Sequence, residues 1–172
     1  MALLTMTIEQ FCIENLFFMD AVKNMVMKNG EFVKFIYSDE NCIMNSVYII
    51  LPLQFTTQER NFNKTKLIYE PFQSKNIAFI HEIYNIEKSI LECYHIDGKN
   101  PVYRISENMY HGNIQFNTEE GIIGSAAAAP EPGTLVSGGG AAAPQAKYFI
   151  KLSGIWENSA EYGITYKFGC LI

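Results

Sequence analysis

Residues that build metal and redox centres are sparse in this sequence. The four cysteines, Cys12, Cys42, Cys93 and Cys170, are far apart and form no CxxC pair. The three histidines, His81, His95 and His111, show no ligand spacing. Zinc sites draw on closely spaced ligand pairs, so no metal is expected, and the thiols read as reduced and buried in an intracellular protein. Positive charge is also short: 13 Lys and Arg face 18 Asp and Glu, a formal charge of −5. That excludes a surface coated in positive charge for duplex DNA but leaves a local basic groove open. No apolar run has membrane-span length; VYIILPL, from Val47 to Leu53, is strand-sized, and no membrane contact is expected. The opening MALLTMTIEQFCIENLFF lacks a basic start and is interrupted by Glu9 and Glu14, so it does not read as a secretory signal. GxSxG, phosphate-loop, HExxH and dinucleotide signatures are missing as well. Hence no catalytic residue and no cofactor is expected, and the carboxylates read as solvated.

What remains is apolar and aromatic. Hydrophobic residues make up 48% of 172 positions, enough for one domain with a core and an appendage. Aromatics at 13% favour sheets and stacking surfaces.

Along the chain, Thr7 to Asn29 reads mainly as helix. Thr7 and Gln10 fit a capping box, and Ile8, Phe11, Cys12, Leu16, Met19, Val22 and Val26 recur at helical spacing up to Gly30. The alternative for its first half is a short strand, because FCI and LFF are weak helix formers. Glu31–Ser38 and Asn45–Phe55 read as a hairpin about the turn DENC, and Lys64–Phe72 as a third strand closed by Pro71. Ser74 is placed as the cap of a helix to about Tyr94. Its apolar stripe is Ile80, Ile83, Tyr84, Leu91 and Tyr94, with Glu82, Glu87 and Lys88 outside. DGKNP (Asp97 to Pro101) is a turn, and Val102 to Phe116 reads as a strand bulged near Gly112.

The stretch from Gly124 to Gln145, GSAAAAPEPGTLVSGGGAAAPQ, has no aromatic and one charge, Glu131. It reads as a flexible low-complexity loop without chemistry, at 124–146, inside one domain. The expected organisation is an N-terminal helical segment (1–30) and a barrel-like domain (31–172) interrupted by that loop.

The last run, KYFIKLSGIWENSAEYGITYKF (Lys147 to Phe168), gives two alternating strands. Alternation places Tyr148, Ile150, Leu152 and Trp156 on one face, and Phe149, Lys151, Ser153 and Ile155 on the other. In its second half Tyr162, Ile164, Tyr166 and Phe168 oppose Thr165 and Lys167. Cations recur on the strands: Lys34, Lys64, Lys66, Arg104, Lys151 and Lys167. Converging on one sheet face, they would form a basic stripe beside aromatic platforms. A base stacked on a ring is worth roughly 1–3 kcal/mol whatever the base, and the cations add a salt-sensitive term. The blander reading also stands: lysines alternate on any half-exposed strand, and aromatic stripes usually fill a core. Trp156 leans to the core.

The order of three strands, helix and two strands is that of the oligonucleotide-binding (OB) barrel. SGIWENSAEYGITYKF resembles the closing strands of OB-fold single-stranded DNA-binding proteins of phages and large nucleocytoplasmic DNA viruses, through Gly154, Ile155, Trp156, Tyr162, Gly163 and Tyr166. NGEFVKFIYS with a second strand ending in LP is similar to their first hairpin, and KLIYEPF, a helix and PVYRI to their third strand, helix and fourth strand. The likeness runs from Gly30 to Phe168 without the low-complexity loop.

It implies an α+β, mostly β fold: a five-stranded OB-like barrel with a helix between strands three and four and an extra N-terminal helix. It implies sequence-tolerant binding of single-stranded DNA in viral replication, recombination or repair, in the host nucleus or cytoplasm. By position Lys34, Tyr37, Lys66, Tyr69, Arg104, Lys151 and Lys167 would be the contacts, the two tyrosines stacking on bases and the cations holding phosphates. The N-terminal helix would cap the barrel or pair with another subunit. The competing expectation is an interaction or assembly module without nucleic-acid affinity, self-associating through that helix or a sheet edge.

Overall fold

The computed structural model describes residues 4–118, 122–123 and 146–171. The expected low-complexity loop at 124–146 lies outside them, apart from Ala146. The fold is α+β and mostly β, with a sheet that curls into a half-barrel.

The N-terminal segment is not the expected long helix. Two single 3₁₀ turns, Ile8–Gln10 and Ile13–Asn15, lead into strands β1 (Leu16–Phe18) and β2 (Val22–Lys23). The Thr7 N–H does donate to Gln10 Oε1 at 2.8 Å, but it caps one turn. The aromatic triplet LFF pairs antiparallel with β3 (Glu31–Ser38), with Leu16 opposite Tyr37 and Phe18 opposite Phe35. Flat pairing suits such side chains better than a helix surface does. The helical stripe read from Met19, Val22 and Val26 is exposed, so no core selects a helix here.

β3 alternates as expected, with Val33, Phe35 and Tyr37 buried. It pairs only briefly with the segment that follows. Asp39 Oδ1 accepts from the N–H groups of Asn41 and Cys42, which fixes the DENC turn, and β4 (Ile43–Met44) lies beside Tyr37 and Ser38. The chain then leaves β3, and β5 (Val47–Ile50) pairs with β11 (Lys147–Glu157) instead. The expected second strand of the hairpin is thus divided between two partners.

β6 (Phe55–Asn61) and β7 (Lys64–Tyr69) form a hairpin about Phe62 and Asn63, with Phe62 at φ 48°. β6 gives no sequence signal: six of its seven residues are exposed, so no apolar alternation marks it. Helix α1 (Ser74–Cys93) follows, burying Phe79, Ile80, Ile83, Ile90 and Leu91. Its N-cap position is Gln73 rather than Ser74.

The expected strand from Val102 to Phe116 is instead three elements. β8 (Asn100–Val102) runs parallel to β12 (Glu161–Leu171), α2 (Arg104–Met109) is a short helix, and β9 (Asn113–Asn117) pairs with β7. Ile105 and Met109, one turn apart, are both buried, a helical spacing hidden in a β-rich stretch. β10 (Ile122–Ile123) runs parallel to the end of β12. Among the described residues the strands form two sheets, one ordered β1-β3-β11-β12-β10 with β2, β4, β5 and β8 attached, the other β6-β7-β9. No helix among these residues is long and apolar enough to cross a membrane. All four thiols are free; Cys170 is buried, whereas Cys12 and Cys93 are exposed, contrary to the expectation of buried thiols.

β11 and β12 pair along their length with one register shift, between Leu152 and Gly154. The extra residue there reverses the alternation. Ile155 stands opposite Ile164 and shares a face with Leu152, while Trp156 stands opposite Gly163 and shares a face with Lys151. Past the bulge the faces expected from simple alternation are therefore exchanged. Gly154 makes the crossing possible. A Cβ at that position would lie 2.2 Å from the Val33 carbonyl oxygen and 2.6 Å from Phe32 Cζ. Gly154→Ala is expected to force β3 from β11 and to cost about 1–3 kcal/mol, the usual penalty for overpacking. An unchanged urea midpoint for this variant would show that the close approach is dispensable.

Candidate nucleic-acid interface

Register assembles the site. Tyr48 on β5 is paired with Lys151 on β11, and Lys151 with Lys167 on β12. Directly opposed residues share a face, so an aromatic and two lysines make one row across three strands. Lys151 Nζ lies 5.5 Å from the centroid of the Tyr48 ring, and Tyr48 meets Phe149 edge-on at 5.6 Å. Like charges placed directly opposite are unfavourable in a sheet. Among the described residues the ion pairs are Lys88–Glu92, His95–Asp97 and Lys99–Glu157, and neither Lys151 nor Lys167 has an acidic partner.

This row borders a cavity of about 980 Å³. Tyr166, Lys167 and Phe168 line it from β12, Phe149 and Lys151 from β11, and residues 113–117 from β9, joined by Asn108 of α2 and by His111. Among the described residues its lining has aromatic rings, side-chain amides and lysines, and no carboxylate. β8 covers Glu161–Gly163 of β12, and β10 covers Cys170 and Leu171. Between them no described strand pairs with that side of β12, and the lining of the cavity draws on this stretch.

α2 sets one wall through an unexpected group. Glu87, expected outside on α1, is buried. Its carboxylate accepts from the N–H groups of Ile105 and Ser106 at 3.0 and 3.2 Å, and from Ser106 Oγ at 3.1 Å. It thus satisfies the first donors of α2 from another helix. At the other end of α2, Asn108 Nδ2 donates to the Tyr166 hydroxyl, which donates to the Arg104 carbonyl at 3.5 Å. Burial pushes the Tyr166 phenol up.

The seven residues expected as contacts divide. Lys151 and Lys167 meet in the cavity wall. Lys66 is opposite Gln115, which also lines the cavity, so the outward face of β7 continues from it through Lys66 to Lys64; Glu59 stands on the other side of Lys66. Lys34 is exposed on β3, opposite Gly154 and away from the cavity lining. The Arg104 guanidinium lies over the Trp156 ring, 4.6 Å from its centroid, and not in the cavity. Trp156 is itself buried against Gly163.

The two tyrosines expected to stack on bases are core residues, and that expectation is corrected. Tyr37 is 1% exposed, packs on Phe11, and its hydroxyl accepts from the Cys12 N–H at 3.1 Å. Tyr69 is 3% exposed, its hydroxyl donates to the Met109 carbonyl, and burial pushes its phenol well above the ordinary range. Neither ring has a face free for a base. The aromatics that do reach the cavity, Tyr48, Phe116, Phe149, Tyr166 and Phe168, were not singled out as contacts, and of these Phe116 and Phe149 are buried. VYII is apolar throughout and does not set Tyr48 apart, whereas NIQFN carries an amide at every second position. Among the described residues no three His, Cys, Asp or Glu side chains are grouped to hold a metal ion.

Comparison with protein-family models, curated proteins and solved structures finds no match to this chain.

The Glu87 clasp makes a pH prediction. Burial outweighs its donated hydrogen bonds, so the carboxyl titrates above the ordinary glutamate range. The folded chain then keeps this proton at pH values where the unfolded chain has lost it. Stability therefore falls as pH rises from the ordinary glutamate range through the raised value. Urea midpoints of Glu87→Gln are expected to lose this part of the pH dependence, whereas Glu87→Ala, leaving buried donors unpaired, costs roughly 1–3 kcal/mol. Parallel pH profiles for wild type and Glu87→Gln would contradict the assignment.

Proposed function

We propose that this chain binds single-stranded DNA with little sequence preference, in the cavity between β5, β11, β12 and β9. The observation that carries the reading is the Lys151–Lys167 pair, which has no acidic partner among the described residues and is bordered by Tyr48. A phosphate between the two ammonium groups relieves their repulsion, and the half-buried Tyr48 ring beside them offers a stacking face that every base satisfies, while Phe149 is buried and only backs it. Lys66 and Lys64 extend the phosphate track. The chain as a whole is acidic, which favours a short local contact over the broad basic surface that duplex DNA requires. The closing hairpin, with Gly154, Trp156, Gly163 and Tyr166, and the helix α1 between β7 and β8 support an OB-like reading of the barrel. A role in viral replication, recombination or repair is part of the same proposal.

Fluorescence anisotropy of labelled oligo-dT tests it. Four lysines on a single strand give a plot of log affinity against log salt with a slope of roughly −2 to −3, and Lys151→Ala with Lys167→Ala lowers its magnitude by about 1.4. Lys34→Ala, outside the cavity, leaves the slope unchanged. Absence of any anisotropy change at low salt removes the proposal, and so does a double variant with the wild-type slope.

Self-association is a second reading, favoured by exposed apolar side chains around β1 and β2: Phe17, Met19, Val22, Met25 and Val26. Light scattering is expected to report an oligomer that Phe17→Glu with Val22→Glu converts to monomer. A wild-type monomer at high concentration excludes it.

A further inference from the structure

A second cavity, of about 550 Å³, has the opposite chemistry. α1 presents His81, Tyr84 and Asn85 from one helical face, and the chain from Tyr103 through α2 to Tyr110 supplies the facing wall with Glu107. The Tyr84 and Tyr103 rings are 5.5 Å apart and inclined by 58°, an open corner rather than a closed stack. Tyr110 is backed by Phe72, stacked at 6.2 Å with 23° between the planes. None of the three tyrosines belongs to the buried core. Tyr103 and Tyr110 pack one side against the core and Tyr84 is exposed, so three rings, each with a negative face, line one surface cavity.

The charge around them has one sign. Among the described residues Glu107 is the one carboxylate in the lining, and burial first, then the charges of Tyr84, Glu92, Tyr162 and Glu87, push the Tyr103 phenol up. The nearby cations are engaged elsewhere: Lys88 pairs with Glu92 at 3.8 Å, and Arg104 lies over Trp156. His81 is the one basic side chain in the lining.

We propose that this cavity binds an alkylated ammonium group, held against the faces of Tyr84, Tyr103 and Tyr110 with Glu107 as counter-charge. Such a cation is attracted to ring faces within about 6 Å and is cheaper to desolvate than a bare ammonium, which suits an open aromatic corner. Either a free quaternary amine or a methylated lysine side chain supplies this head group. The site stands independently of the lysine-lined cavity and of any DNA binding.

The test is an NMR titration of the full chain, run at pH 8 so that an ordinary imidazole is uncharged. The probes are choline, Nε-trimethyl-lysine and 3,3-dimethylbutan-1-ol, the neutral isostere of choline. Both ammonium probes are expected to bind in the roughly millimolar range, at least about tenfold tighter than the alcohol. Glu107→Gln and Tyr84→Ala, both at exposed positions, are expected to weaken them about threefold or more with unchanged circular dichroism. Tighter binding of choline identifies a free amine as the source; tighter binding of trimethyl-lysine identifies a modified peptide. The proposal is overturned if the alcohol binds as tightly as choline, if neither ammonium probe shifts a tyrosine resonance at roughly 0.1 M, or if both variants bind as the wild type does.

Discussion

The bulge in β11 is the constraint on which the rest of the structure depends. Up to Leu152 this strand pairs with β5, and from Gly154 it pairs with β3. The extra residue falls where one partner ends and the other begins. It lets β3 approach until only a hydrogen fits between Gly154 and the Val33 carbonyl. It also resets the alternation, so that Ile155 continues the apolar face begun by Ile150 and Leu152. Without the reset, Trp156 would point where Ile155 now does, and the row of Tyr48, Lys151 and Lys167 would have no flat continuation onto Trp156 and Gly163. A bulge of this kind bends its strand and increases the local twist.

Electrostatics divides the molecule more sharply than its net charge suggests. An acidic chain would be expected to scatter carboxylates over every surface, yet none of the described residues lining the larger cavity carries one. Several are committed elsewhere: Glu87 is spent inside on the donors of α2, and Glu157, nearly buried, takes Lys99 at 3.0 Å. Glu31 stands opposite Glu157, and its carboxyl is pushed up by the hydrogen bond and the charge of that neighbour. Two lysines face to face in a sheet, with no acidic partner among the described residues of a protein that has carboxylates to spare, are hard to account for as solubilising residues, because a cross-strand acid would both solubilise and stabilise.

Much of the fold was legible because burial and period agree there. α1 and the closing hairpin carry long, regular patterns, and DENC and DGKNP carry turn chemistry. The rest was hidden for identifiable reasons. β6 is an exposed polar strand with nothing to alternate. α2 is shorter than two turns and lies in a stretch rich in β-formers. The N-terminal apolar residues keep a helical spacing but have no core surface to serve, and pairing with β3 decided instead. In the site, parity conflicts with the expectation that a lysine and a tyrosine of one strand share the groove. Lys34 and Tyr37 are three residues apart on one strand, as are Lys66 and Tyr69, so each pair must point to opposite faces. A groove on one face can hold the lysine or the tyrosine, and burial of Val33, Phe35 and Leu67 assigns the tyrosines to the core. Tyr48 became visible only through pairing, since sequence order gives no hint that β5 lies against β11.

α2 is where the two cavities meet. Asn108 faces the lysine-lined one, while Ser106 and Glu107 face the tyrosine-lined one, only a residue or two away. A helix of six residues has little stability of its own, because its hydrogen-bonded turns scarcely repay nucleation. Its position is imposed from outside, by Glu87 on its first N–H groups, by Ile105 and Met109 in the core, and by the Tyr166 hydroxyl on Asn108 and on the Arg104 carbonyl. Arg104 adds its guanidinium over Trp156, on the far side of the bulge from Lys151. A shift of this helix therefore changes the walls of both cavities together, and the buried carboxyl reaching across from α1 resists it along with the two core side chains and the Tyr166 hydroxyl.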